Sequence, residues 1–220
     1  LGTGLGIDTF VREVIQNSYD QTDLGNHCQV HFELHRLDGE DKKSLFRAIR
    51  FGSLKTHLRG LSQSTIEPSL MNTRLRQDLD SLAHGPVTIL RIDDSGTKGL
   101  SGSEDDHLGN FNALCRNQLV TSEDKPARGG SYGLGKAVLW GFSSISTVMF
   151  SSRIHTDGVE NGFRLFGRAE LAHHETKSGQ WSGQGWFGRR QRTGRGERAV
   201  SHWSNTAESI ARRASLFSPA

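Results

Sequence analysis

Gly129-Gly130-Ser131-Tyr132-Gly133-Leu134-Gly135-Lys136 leads directly into the apolar run Ala137-Val-Leu-Trp-Gly-Phe142. Glycines without side chains expose consecutive N–H groups, and a helix entrance adds positive potential, so a helix over Gly133 to Phe142 would give the segment a phosphate cradle. A flexible linker fits the same letters. Gly130 to Lys136 also satisfies G-x-x-x-x-G-K, the start of a Walker A loop. That architecture fails on three counts. Ala137 replaces the hydroxyl residue that ligates Mg²⁺, the preceding Asp124 to Arg128 is polar where an apolar strand is needed, and the acidic strand precedes the loop instead of following it.

That acidic strand lies upstream. Val87 to Ile92 is a compact apolar strand that runs into Asp93-Asp94-Ser95-Gly96-Thr97-Lys98-Gly99. A strand-end Asp followed by glycines can accept a hydrogen bond from an exocyclic amine while the backbone closes over a flat ring; the same residues also make an ordinary turn. Farther upstream, Asp8 to Asp20 sets Phe10, Val11, Val14, Ile15 and Ser18 on one helical stripe, with Asp8 as N-cap. Glu13, Asn17 and Asp20 fall at i, i+4 and i+7 beside it. Two carboxylates and an amide oxygen on one line can activate water and offer hard ligands to Mg²⁺, or simply form a solvated polar face.

The remaining elements follow from periodicity. Gln29 to Leu37 alternates as a half-buried strand, and 43–82 is expected to be a mostly helical insertion, broken near Gly52 to Gly60 and at Pro68. The stretch 99–130 is polar and glycine-rich around Phe111 to Leu114, the composition of a mobile lid with a partial helix. Ile145 to Phe150 and Gly162 to Ala169 read as strands. Beyond residue 170 comes a Gly/Arg-rich extension in which Arg189, Arg190, Arg192, Arg195 and Arg198, near Trp181 and Trp186, read as a solvated loop or, alternatively, a flexible basic segment that touches nucleic acid, then a basic helix from Asn205 to Leu216.

Taken in order, the three segments resemble the motifs of the GHKL (Bergerat-fold) ATPases, the family of gyrase-type topoisomerases, heat-shock chaperone ATPases, MutL, MORC proteins and sensor histidine kinases. Glu13 to Asp20 is similar to the N box, Asp94-Ser-Gly96 with Gly99 to the G1 box, and Gly130 to Gly135 to the G2 box. Tyr132 and Lys136 look most like the MORC branch. The resemblance spans Asp8 to about Ala169 and leaves the insertion and the tail unexplained. It implies a two-layer α/β sandwich with helices on one face of a mixed, mostly antiparallel sheet. It implies Glu13 as general base, Asn17 as Mg²⁺ ligand with Asp20 beside it, and Asp94 on the adenine amino group. Gly96 and Gly99 would flank the base; Gly130, Ser131, Tyr132, Gly133, Leu134 and Gly135 would wrap the phosphates, with Lys136 reaching the γ-phosphate. The implied activity is ATP hydrolysis driving lid closure and dimerisation, with DNA as a candidate partner reached through other segments. A nucleotide-gated binding module with negligible turnover and a histidine kinase catalytic domain remain alternatives.

Two departures mark the chain. Gln21 stands where most such ATPases carry Ala after the N-box Asp, and Lys98 lengthens G1 to D-x-G-x-x-G. The Thr that the family places on a late strand has no clear counterpart before Ala220.

Composition narrows the setting. No stretch approaches the roughly twenty apolar residues of a membrane helix. Cys28 and Cys115 form no C-x-x-C, so a reducing, cytoplasmic location is expected, with both thiols as small buried hydrophobes. A net charge of +3 from 27 basic and 24 acidic residues is too small to signal nucleic-acid binding alone. His155, His173 and His174 lack zinc-ligand spacing. Because the chain opens on Leu1, it is expected to be a piece of a longer protein.

Overall fold

The computed structural model describes residues 6–23, 25–63, 70–117, 134–154, 162–194 and 196–214. Helix α1 (Ile7–Tyr19) forms where Phe10, Val14 and Ser18 recur every four residues, and all three are buried. Its N-cap is Gly6, while Asp8 sits in the first turn, where its charge complements the helix dipole. Ile15 is exposed, so the buried stripe is narrower than its spacing suggests.

Strands β1 (Gln29–Leu37) and β2 (Val87–Ser95) pair antiparallel from Gln29 opposite Ser95 to Leu37 opposite Val87. This ladder carries β2 past Ile92, so Asp93 and Asp94 lie on the strand rather than in the expected turn. Between the two strands stand α2 (Gly39–Ala48), α3 (Phe51–Ser62) and α4 (Leu70–His84), the helical insertion read from the sequence. Phe51, Leu58, Leu61, Leu75 and Leu79 form its core. Here α3 runs unbroken through Gly52 and Gly60, and the break falls at Arg50, whose φ is 52°.

After a π-helical turn (Asn112–Arg116) and α5 (Leu134–Gly141), β3 (Thr147–Ile154) pairs antiparallel with β4 (Gly162–Glu170). The described residues of the tail, 171–194 and 196–214, form strands and a helix, not the solvated loop expected from the arginines; Arg195 and the expected helix end at Leu216 lie outside the described residues. The tail forms the β5 (His174–Thr176) and β6 (Gly179–Trp181) hairpin, β7 (Gln184–Phe187), the β8 (Arg189–Thr193) and β9 (Gly196–Val200) hairpin, β10 (His202–Trp203) and α6 (Ser204–Arg213). Both β7 and β10 pair with β4, which makes β4 a central strand with seven consecutive buried residues, Phe163 to Ala169. The α/β architecture is thus present, with antiparallel pairing throughout the described strands.

The two faces of β4 differ. Phe163 and Leu165 pack on Ala207 and Ala211 of α6. Phe166 packs on Phe111, Cys115, Trp140 and Phe150, so the other face carries α5 and the π-helical turn. Helix α1 then packs on α5 through Phe10, Val14 and Val138.

Candidate functional site

Glu13 and Asn17 project from the second half of α1, and Asp20 is its C-cap. The Glu13 side chain is only 12% exposed, with Oε1 3.5 Å from Nη2 of Arg12. Asn17 is half-buried and Asp20 exposed. Just beyond the helix, the chain is stitched to the end of β2. The Asp23 amide donates to the Gly96 carbonyl and the Lys98 amide to the Gln21 carbonyl, both at 2.9 Å, around a bridge between Thr22 and Thr97. Gln21 therefore serves through its backbone, and the extra residue Lys98 supplies the matching N–H.

Asp94, exposed near the end of β2, lies opposite Val30 and accepts a 3.3 Å hydrogen bond from the Thr97 hydroxyl. Gly96 (φ 75°) and Gly99 (φ 59°) both hold conformations that side chains resist. A Cβ at Gly96 would lie 2.2 Å from the His27 carbonyl oxygen, and one at Gly99 2.4 Å from Ser152 Oγ. The close approaches that demand glycine are thus made by the protein itself.

Gly130, Ser131, Tyr132 and Gly133 lie outside the described residues, while Leu134 and Gly135 open α5. Helix α5 is fixed against α1, with the Phe142 ring stacked 3.9 Å from that of Phe10. The Lys136 ammonium donates to the carbonyls of Ala113 (2.8 Å) and Asn117 (2.7 Å), tying α5 to the end of the π-helical turn. Burial, with the nearby Arg168 charge, lowers the Lys136 pKa from its usual value. A lysine expected at a γ-phosphate is here committed to backbone oxygens.

The first part of the expected lid is also anchored. Arg164, fully buried on β4, donates to the carbonyls of Leu100 and Gly102, to Ser201 Oγ and to the Glu104 carboxylate. Glu104 also accepts from Arg116 and from the Ser201 amide, and Arg168 donates to the carbonyls of Cys115 and Arg116. Burial raises the Glu104 pKa, but the bonds from Ser201 and Arg164 and the charge of Arg116 outweigh it, leaving the carboxyl below its usual value. The sequence reading passed over this cluster. Its signal was two arginines four residues apart, and so on one face, within the strand pattern of 162–169.

A cavity of about 500 Å³ opens beside that cluster, away from α1 and α5, among Arg164, Arg189, Arg198, His202 and Trp203. Among the described residues, no group of His, Cys, Asp and Glu is arranged to hold a metal by itself, and no helix is long and apolar enough to cross a membrane. Comparison with protein-family models, curated proteins and solved structures finds no match.

Proposed function

We propose that the chain binds Mg·ATP against α1, the end of β2 and the glycine-rich segment before α5, and hydrolyses it, as the GHKL resemblance implies. One observation carries the reading. The two segments that carry the first motifs and the helix α5 that follows the third, far apart in sequence, are neighbours: Gln21 and Asp23 bond Lys98 and Gly96, and Phe10 and Val14 pack on Val138. Nothing in their local patterns requires that meeting.

The donor chemistry fits Mg²⁺. Glu13, Asn17 and Asp20 offer carboxylate and amide oxygens on one helix face, the hard ligands this ion takes alongside substrate phosphates. When bound, the ion would neutralise phosphate charge. Asn17 would hold it, and Glu13, mostly shielded from solvent, would take the proton of the attacking water. Asp94, exposed at the strand end, would accept from the adenine amino group. Closure over the nucleotide and dimerisation complete the proposed cycle. Exposed Phe32, Leu34 and Leu90 on the β1–β2 ladder supply apolar surface for such pairing.

Calorimetric titration of Mg·ATP and Mg·GTP tests the pocket. The wild type is expected to prefer ATP, and Asp94→Asn to lose that preference; equal losses for both nucleotides would remove Asp94 from the base site. Glu13→Ala is expected to keep nucleotide but lose turnover by on the order of 10²- to 10⁴-fold. Undiminished hydrolysis in that variant refutes the base assignment.

A further inference from the structure

The β8–β9 hairpin presents two unlike faces. Directly paired residues share a face, so Arg189 with Val200 and Gln191 with Arg198 point one way, and Arg190 and Arg192 with Glu197 the other. Arg189, Gln191, Arg198 and Val200 all line the cavity of about 500 Å³, together with Glu104, His202, Trp203 and Thr206. Strand alternation thus divides the arginine-rich tail into an outer ion-paired face and a cavity face.

Charge on the cavity side is unbalanced. Asp105 is taken by both terminal nitrogens of Arg198, and Glu104 by Arg164 and Arg116. Among the described residues, no carboxylate pairs with Arg189, which lines the cavity. The guanidinium groups of Arg116, Arg164, Arg189 and Arg198 therefore share two carboxylates. Such a surplus, drawn from β8, β9, β4 and the π-helical turn, suits a multiply charged anion, and planar guanidinium forks match phosphate oxygens.

We propose that this cavity is a second binding site, separate from the proposed nucleotide site, for a phosphate-bearing ligand gripped by Arg189 with His202 and Thr206 on its wall. Arg164 and Arg198 are already bonded within the protein and act as its fixed positive floor. The His202 ring, half-buried against Phe187, has its pKa lowered by burial and then by Arg50 and Arg189. An anion between Arg189 and the ring would reverse that charge effect.

The test is a titration of the full chain with inorganic pyrophosphate, read by calorimetry and by the His202 ring signals in NMR. Arg189→Gln is expected to weaken binding about tenfold, a loss of roughly 1.4 kcal/mol, while Arg192→Gln, on the opposite face of the hairpin, leaves it unchanged. Saturation is expected to raise the pH at which His202 titrates. Arg189 is exposed and without a structural partner carboxylate, so its variant folds; circular dichroism checks this. A short oligothymidylate forms the second arm. Displacement of pyrophosphate with the same arginine dependence identifies a nucleic-acid backbone as the phosphate source, and binding of pyrophosphate alone identifies a free phosphate ester. Absent binding, or binding indifferent to Arg189→Gln or equally weakened by Arg192→Gln, overturns the proposal.

Discussion

Arg164 is fully buried yet retains a charge, because its donors meet Ser201, Leu100, Gly102 and Glu104 and its guanidinium stacks 3.4 Å from the Phe111 ring centroid. Glu104 is the counterweight, so Glu104→Ala would leave two guanidinium groups and the Ser201 amide short of an acceptor. The expected cost is about 3–5 kcal/mol, read as a lowered urea midpoint. Replacing both Arg164 and Glu104 by apolar residues of similar volume is expected to cost less than the single change, since no charge is then stranded. The strand itself was legible: Gly162 to Ala169 reads as a strand, and 163–169 is buried throughout. Its charged partner was not, because Glu104 lies 60 residues away, and local periodicity carries no information at that separation. The same limit hid Lys136, whose position at a helix entrance suggested a phosphate while its ammonium bonds two carbonyls.

At the scale of elements, Gly60 is instructive. A glycine inside a helical pattern ordinarily argues for a break, yet α3 continues because the hairpin β5–β6 comes so close that a Cβ there would lie 2.3 Å from the Glu175 carbonyl oxygen. Gly60→Ala is therefore expected to destabilise by about 1–3 kcal/mol despite the better helix propensity of alanine. Faster hydrogen exchange across 174–181, with α1 unchanged, is the local signature; a gain in stability would show the contact is loose. The second tie between these elements is His57 Nδ1, 3.0 Å from His174 Nε2. β1 teaches the converse lesson. Its alternation predicted the strand to the residue, Gln29 to Leu37, but Leu34 is 71% exposed, because α1 and α5 cover only the Val30 and Ile92 end of that face. Pattern located the strand; what covers it depends on packing between distant segments.

For the molecule as a whole, three titrations set the pH profile. His57 is lowered by burial and then by His174, and His202 by burial and then by Arg50 and Arg189, both from a usual value of 6.5. The unfolded chain then binds more protons than the fold just below pH 6.5, so their contribution is present above that pH and is lost as pH falls through the lowered values. Glu104, lowered from 4.5, adds stability present above pH 4.5 and lost below it. Urea midpoints are thus expected to fall in two stages on acidification, and His57→Gln should blunt the upper one. The sequence also suggested a boundary near residue 170. Instead β7 and β10 flank β4, and α6 packs on it. A chain ending at Glu170 is accordingly expected to lose cooperative unfolding by circular dichroism; a sharp transition in that truncation would restore the boundary.

Ser201, which closes the bonding of Arg164, also puts the fold under a clock. The hydroxyl lies 37 residues downstream of the guanidinium it satisfies. Synthesis at about 5–20 residues per second separates the two by roughly two to seven seconds. Hairpin formation takes only about 1–10 μs, so β3 and β4 have ample time to pair as soon as both emerge. For those seconds the nascent sheet holds a charge on a surface meant to be sealed. Ribosome pausing before residue 201 would lengthen that interval, and chaperone capture of the growing chain should peak within it.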